Sequence, residues 1–295
     1  MSAVLGNLLD LLTLEPVGTD RYLGQTQDLG FGNLFGGHVL GQALVAASNS
    51  CVSRNVHSLH AYFIRAGNPK LPIDYQVDRI RDGGSFSVRR VTALQNDAPI
   101  LIMSTSFQVQ EHGFEHQAEM PDVAPPESLV SELDKARSVK DLIPARVREQ
   151  FTCDRPIEIR QIDPVNPFKP VKKAPVRYAW FRTVGAMPDD PTLNKCLLTY
   201  ASDFGLLGTC MRPHGVTFYQ PDMMTASLDH AMWFYGDFRM DDWLLYASDS
   251  PVAGHGRGFN RGNIFTRDGR LVACVTQEGL FRQLAEGRET RTSQG

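Results

Sequence analysis

The chain has 295 residues, with 30 Lys or Arg against 33 Asp or Glu, a net charge of −3 and a sequence pI near 6.2. That length suits two modules of ordinary domain size, and the balanced charge excludes a basic surface of the kind that binds nucleic acid or an anionic membrane. Five scattered cysteines (Cys51, Cys153, Cys196, Cys210 and Cys274) show no Cys-x-x-Cys spacing, which argues against a disulfide framework or a zinc site and for a reducing, cytoplasmic setting.

Val4 to Leu14 carries Leu5, Leu8, Leu9 and Leu12 on one stripe and reads as a surface helix ended by Pro16 rather than a signal peptide. Arg21 to Gln27 reads as a short strand. Gly30 to Gly37 is a glycine-rich turn into a nearly apolar helix, His38 to Ala47, which must be covered on most sides. Val56 to Ile64, Ile73 to Arg81, Phe86 to Leu94 and Ile100 to Val109 are strand-like, so this first module is a two-layer α+β sandwich. Residues 113–175 shift to proline and charge and are expected to form an interdomain connection with helical pieces at Ser128 to Ala136 and Val139 to Gln150.

From Val176 the pattern returns: a strand at Arg177 to Val184, a helix from Asp190 to Leu207, then strands at Thr225 to Tyr235, Trp243 to Ala253, Gly258 to Thr266 and Leu271 to Arg282. In one constant register, Gln95 to Met103 lies over Thr266 to Cys274 and Val88-Arg89-Arg90 over Phe259-Asn260-Arg261, while Ser58-Leu59 lies over Ser227-Leu228 after a small shift. The order of elements supports a duplicated module, 1–112 and 176–295, joined by the 113–175 connection.

The copies differ where chemistry would sit. The second helix carries Asp203, whereas the first half has no carboxylate from Gly36 to Val56. Asp203 reads as mid-helix, which leaves an exposed face, or a catalytic or polar-network role, rather than capping. Gln277 interrupts the apolar alternation of the last strand and lies over Ser106, with Asp268-Gly269 ahead of it as a two-residue hairpin turn. A buried amide there needs a partner, and the hydroxyl of Ser227 could share a water with Asp203 and Gln277. No nucleophile elbow, Walker loop or His-Glu-x-x-His motif is present, and His112 and His116 fit solvent exposure better than a metal. Arg79, Arg81, Arg89, Arg90, Arg257 and Arg261 could bind phosphates or simply cover a sheet face. The apolar runs are too short to span a membrane, and the C-terminal Thr-Ser-Gln-Gly is not a Ser-Lys-Leu address.

Six segments together resemble the acyl-CoA thioesterase II family: Phe35 to Leu44, His57 to Phe63, Arg81 to Val91, Tyr200 to Asp203, Leu228 to Phe234 and Val275 to Gly279. The resemblance covers nearly the whole chain and implies an α+β double hotdog, two antiparallel sheets each wrapped around a central helix and joined side by side. It also implies hydrolysis of fatty acyl-CoA by water held on an Asp, Gln and Thr/Ser trio, here Asp203, Gln277 and Ser227, where Ser227 departs from the Thr of one family member but keeps the hydroxyl. Amides of Gly36-Gly37 are the expected oxyanion donors. No cofactor is implied, the partner is the acyl-CoA substrate, and a homo-oligomer, dimer or tetramer, is expected. The rival readings are a hotdog enoyl-CoA hydratase or dehydratase, disfavoured because no histidine lies one helical turn from Asp203, and a non-catalytic acyl-CoA-binding module.

Overall fold

The structure, a computed structural model, describes residues 2–284 other than 31 and 52; the C-terminal residues 292–295, read above as unlike a Ser-Lys-Leu address, lie outside the described residues. Its helices are α1 (Ala3–Leu12), α2 (Gly36–Asn49), α3 (Glu132–Ser138), α4 (Ala145–Thr152), α5 (Pro191–Ser202) and α6 (Gly208–Met211). The strands of the first half are β1 (Glu15–Gly18), β2 (Arg21–Gly24), β3 (Asn55–Phe63), β4 (Ile73–Asp82), β5 (Phe86–Gln95) and β6 (Ala98–Gln108). After β7 (Ile157–Ile162) in the connection come β8 (Val176–Thr183), β9 (Met223–Ser227), β10 (Asp229–Phe234), β11 (Leu244–Gly254), β12 (Arg257–Thr266) and β13 (Leu271–Gln283).

All of these strands join one antiparallel sheet in the order β1-β2-β4-β5-β6-β3-β10-β13-β12-β11-β8-β7, with β9 paired to β13. The two halves meet edge to edge at β3 and β10, where His60 faces Ala231 and Ser58 faces Trp233. That joint removes two exposed strand edges. Alternate residues of the strands point inward onto α2 and α5, which pack against each other in the middle of the main core. The sheet wrapped around a central helix in each half, side by side, is the double hotdog. No helix among the described residues is long and apolar enough to cross a membrane.

The repeat is visible in matched contacts. Arg90 pairs with Asp78 and Arg261 with Asp249, both at 2.8 Å or less, and the fully buried Tyr75 and Tyr246 each send a hydroxyl to a central helix. Two expected alignments change. Asn96 and Asp97 form a two-residue turn with positive φ at both positions, whereas Thr266 closes on Arg270 around the three residues Arg267, Asp268 and Gly269. The extra residue advances β13 by one, so the partner of Gln277 in the first half is the inward Thr105, and Ser106 faces the other side. The strand register likewise matches Val56 with Ser227 and Leu59 with His230, in place of Ser58-Leu59 over Ser227-Leu228.

A proline and a bulge account for two further differences. Pro144 splits the helix expected over Val139 to Gln150 into a 3-10 turn, Lys140–Leu142, and α4. The strand expected over Thr225 to Tyr235 is broken at Leu228. The connection also contributes β7 to the sheet edge.

Close approach of α2 to α5 depends on glycine. A Cβ on Gly37 would lie 2.3 Å from the backbone oxygen of Tyr200 and 2.6 Å from the Phe35 ring, whereas a Cβ on Gly6 of α1 would meet nothing within 4 Å. Gly37→Ala is therefore expected to lower unfolding stability by about 1–3 kcal/mol through forced separation of the helices. Gly6→Ala should leave stability equal or raise it by up to about 1 kcal/mol. Urea unfolding of the two variants checks both signs.

Candidate active site

Asp203 directly follows α5 and caps it in right-handed geometry, so it is not mid-helix; Phe204 turns back onto the Ala201 carbonyl and Gly205 leaves with φ of 74°. Ending the helix here points the carboxylate out of its own helix toward the first module. Asp203 Oδ2 accepts the Gly37 backbone N–H at 2.9 Å, and Oδ1 accepts Gln277 Nε2–H at 2.7 Å. Gly36 has to be glycine for this, since a Cβ would stand 2.9 Å from Asp203 Oδ2 and from the Phe63 ring. The apolar wall beside it is Phe35, stacked on Phe204 at 4.4 Å and set edge-on to Tyr200 at 5.3 Å.

Ser227 and Gln277 reach the same point because of a β-bulge. Ser227 pairs with Gly279 and Ala231 with Thr276, so β9 and β10 advance four residues while β13 advances three. Glu278 faces the two bulged residues, accepting the Leu228 N–H and donating its own N–H to Asp229 Oδ1. The extra residue turns both Ser227 and His230 inward, a re-aiming that uninterrupted alternation forbids. Gln277 is fully buried; of its two Nε2 protons one goes to Asp203 Oδ1, and Ser227 Oγ and His230 Nδ1, both 3.2 Å from Nε2, share the other. Its Oε1 has no hydrogen-bond partner in the protein. The amide orientation is set by charge: the reverse would press Oε1 against the Asp203 carboxylate.

The three residues singled out from the sequence are thus brought together. His230 was missed. It occurs in the Leu228 to Phe234 segment, and alternation with Met232 and Phe234 marks it as inward, but a lone histidine on an apolar face carried no further signal. Its Nε2 lies 2.9 Å from Ser202 Oγ, and burial holds the imidazole down to about 3, so it is neutral. Gly37 also departs from expectation, since its amide is engaged by Asp203.

The carboxyl of Asp203 is raised above the ordinary value of 3.8, first by burial, with the bonds from Gln277 and Gly37 pulling the other way. Its own helix ends at the carboxylate, which disfavours negative charge, while the N-terminus of α2 faces it and favours it. Five of the six arginines considered for phosphate binding are paired with acids: Arg79 with Asp20, Arg89 with Asp82, Arg90 with Asp78, Arg257 with Glu278 and Arg261 with Asp249. His112 and His116 are exposed, and no group of metal-binding side chains occurs among the described residues.

The first module shows what the same bulge looks like without this chemistry. There Val56, Leu59, Thr105 and Phe107 stand in the places of Ser227, His230, Gln277 and Gly279, and all four are buried. Two hotdog modules with a single polar cluster at their junction define a double-hotdog protein with one candidate site per chain.

Comparison with known proteins places that class. Family models for acyl-CoA thioesterase and acyl-CoA thioesterase N-terminal domain match residues 146–280 and 26–108. Acyl-CoA thioesterase 2 of Haemophilus influenzae is 42% identical over 96% of this chain and 99% of its own length. Acyl-coenzyme A thioesterase 8 of Homo sapiens is 38% identical over 95% of this chain and 90% of its own. The structure of an acyl-CoA thioesterase II from Mycobacterium marinum has a TM-score of 0.77 at 39% identity, covering 96% of this chain and 99% of that one. The chain belongs to the acyl-CoA thioesterase family.

A raised carboxyl in the folded state means that folding favours neutral Asp203. The stabilising difference is present below the unfolded value and is lost as pH rises through the folded one. Carbon NMR of labelled aspartate is expected to show Asp203 titrating with a midpoint above 3.8. A midpoint at or below that value would mean that the two hydrogen bonds outweigh burial.

Proposed function

We propose that the chain hydrolyses fatty acyl-CoA to free fatty acid and CoA by direct attack of water, with Asp203 as general base and Gln277 and Ser227 orienting the water. Acyl-CoA thioester hydrolysis is the activity carried by the family and by relatives at about this identity over nearly the whole chain. The observation that carries the assignment of roles is the buried Gln277 amide, held by Asp203 Oδ1 at 2.7 Å and turned toward Ser227 Oγ, with Oε1 unclaimed by the protein.

The steps follow from those atoms. A water beside the trio donates one proton to Asp203, which Gln277 Nε2–H holds in place, and accepts a hydrogen bond from the Ser227 hydroxyl, and its lone pair adds to the thioester carbon. The carbonyl becomes an oxyanion, the intermediate collapses, the C–S bond breaks, and the departing CoA sulfur takes the proton from Asp203. Because Gly37 N–H is engaged by Asp203, the remaining first-turn amide of α2, Gly36 N–H, is the favoured oxyanion donor: an N-terminal helical N–H has no acceptor within its own helix. A thiolate is a good leaving group, so the single carboxylate suffices for both proton transfers.

The hydratase reading is not favoured by His230, whose two ring nitrogens are both occupied inside the core. The five free cysteines support a reducing, cytoplasmic setting. Tyr62 and Ile102, exposed side by side on the outer sheet face, support a homo-oligomer, dimer or tetramer.

Asp203→Asn is expected to lower kcat on palmitoyl-CoA by about 10²–10⁴-fold, the range for loss of a general base. Ser227→Thr keeps the hydroxyl and should retain most activity, while Ser227→Ala should not. Colorimetric release of free CoA thiol reads all three, and near wild-type hydrolysis by Asp203→Asn would refute the water-activation scheme.

A further inference from the structure

His230 is not needed for any proton transfer above, yet it is fully buried in an apolar row of β10 with both nitrogens within hydrogen-bonding distance of polar groups. The direction of those bonds can be worked out. Ser202 Oγ has one proton, and the carbonyl of Thr199 at 2.9 Å accepts it, as a helical serine hydroxyl commonly arranges. Ser202 Oγ therefore accepts from His230, which puts the imidazole proton on Nε2. Nδ1 is left as a lone pair, and it faces Gln277 Nε2 at 3.2 Å.

We infer that His230 is a positioning residue for the hydrolysis, locking the Gln277 amide through its Nδ1 lone pair so that Gln277 Nε2 stays turned toward Asp203. The inference rests on reading Gln277 as the water-orienting amide. Its force comes from the moment of proton transfer. While Asp203 is charged, its Oδ1 alone suffices to keep Nε2 rather than Oε1 against it. Once Asp203 has taken the proton of water it can donate as well as accept, and a flipped amide becomes acceptable to it. Nδ1 cannot donate, so it continues to reject Oε1, and the amide keeps its orientation until the intermediate has collapsed. The neutrality of the imidazole, which burial enforces, is the condition for this. The first module supplies the contrast: Leu59 holds the position of His230 and Thr105 that of Gln277, so the acceptor and the amide are both missing there.

Two substitutions separate positioning from packing. His230→Asn places an amide oxygen near the position of Nδ1 and forgoes the bond to Ser202. His230→Gln reaches Ser202 and forgoes the acceptor at Nδ1. The expectation is that His230→Gln lowers kcat by about 10–100-fold with KM nearly unchanged, the scale of a misplaced reacting group. His230→Asn should stay within about threefold of wild type, and in a Gln277→Ala background His230→Gln should cost nothing further. Equal losses in the two variants, or an undiminished effect in the Gln277→Ala background, would overturn the inference. Full activity of His230→Gln alongside an inactive Gln277→Ala would overturn it while leaving the trio standing. Full activity of both Gln277→Ala and Asp203→Asn would instead overturn the trio. If His230→Gln does not fold, nitrogen NMR of the wild-type imidazole decides: a proton on Nε2 and a bare Nδ1 are expected, and a proton on Nδ1 is incompatible with the lock.

Discussion

The contact between the Gly37 amide and the Asp203 carboxylate is the one on which the rest of the site depends. It joins the N-terminus of one central helix to the C-terminus of the other, so it exists only because the two modules pack their helices directly together. Bare backbone at Gly36 and Gly37 lets the carboxylate come within bonding distance. In exchange for the loss of water, the carboxylate receives two hydrogen bonds and the positive end of α2. That compensation is partial, and burial leaves the carboxyl raised above its ordinary value.

Duplication explains why the described residues hold one candidate site. Both modules keep the bulge, the buried tyrosine and the Arg–Asp pair across neighbouring strands, because these serve the sheet. At the bulge itself the first module is filled with Val56, Leu59, Thr105 and Phe107. The second holds Ser227, His230, Gln277 and Gly279 in the same places. An unpartnered buried polar atom occurs in both copies, since Thr105 Oγ1 also lacks a partner, so what distinguishes the second is an amide grouped with a carboxylate, a hydroxyl and an imidazole.

Much of this was legible in the residues. Alternation and turn signals located the main strands of both modules, and the departure from apolar alternation at Gln277, with the unmatched Asp203, pointed to the residues that meet at the site. Other features were hidden for definite reasons. A one-residue difference in hairpin length shifted the comparison of the last strands, so Ser106 stood where Thr105 belongs, and only hydrogen-bond register reveals such a slip. The bulge at Leu228 was likewise invisible, since a bulged and an unbulged strand have the same composition. His230 depended on that bulge for its place beside Ser227. The end of α5 was read too late because Phe204, Leu206 and Leu207 continue an apolar pattern past Asp203, although these residues pack as a turn and not as a helix.

The central claim is that water attacks the thioester directly and that Asp203 only carries its proton. A single turnover with enzyme in excess, run in heavy-oxygen water, tests it. Direct attack predicts that the fatty acid of that first turnover carries the heavy oxygen and that the peptide containing Asp203 carries none. Unlabelled fatty acid with label in Asp203, or an acyl adduct on that residue in the quenched enzyme, would show a covalent route and contradict the account.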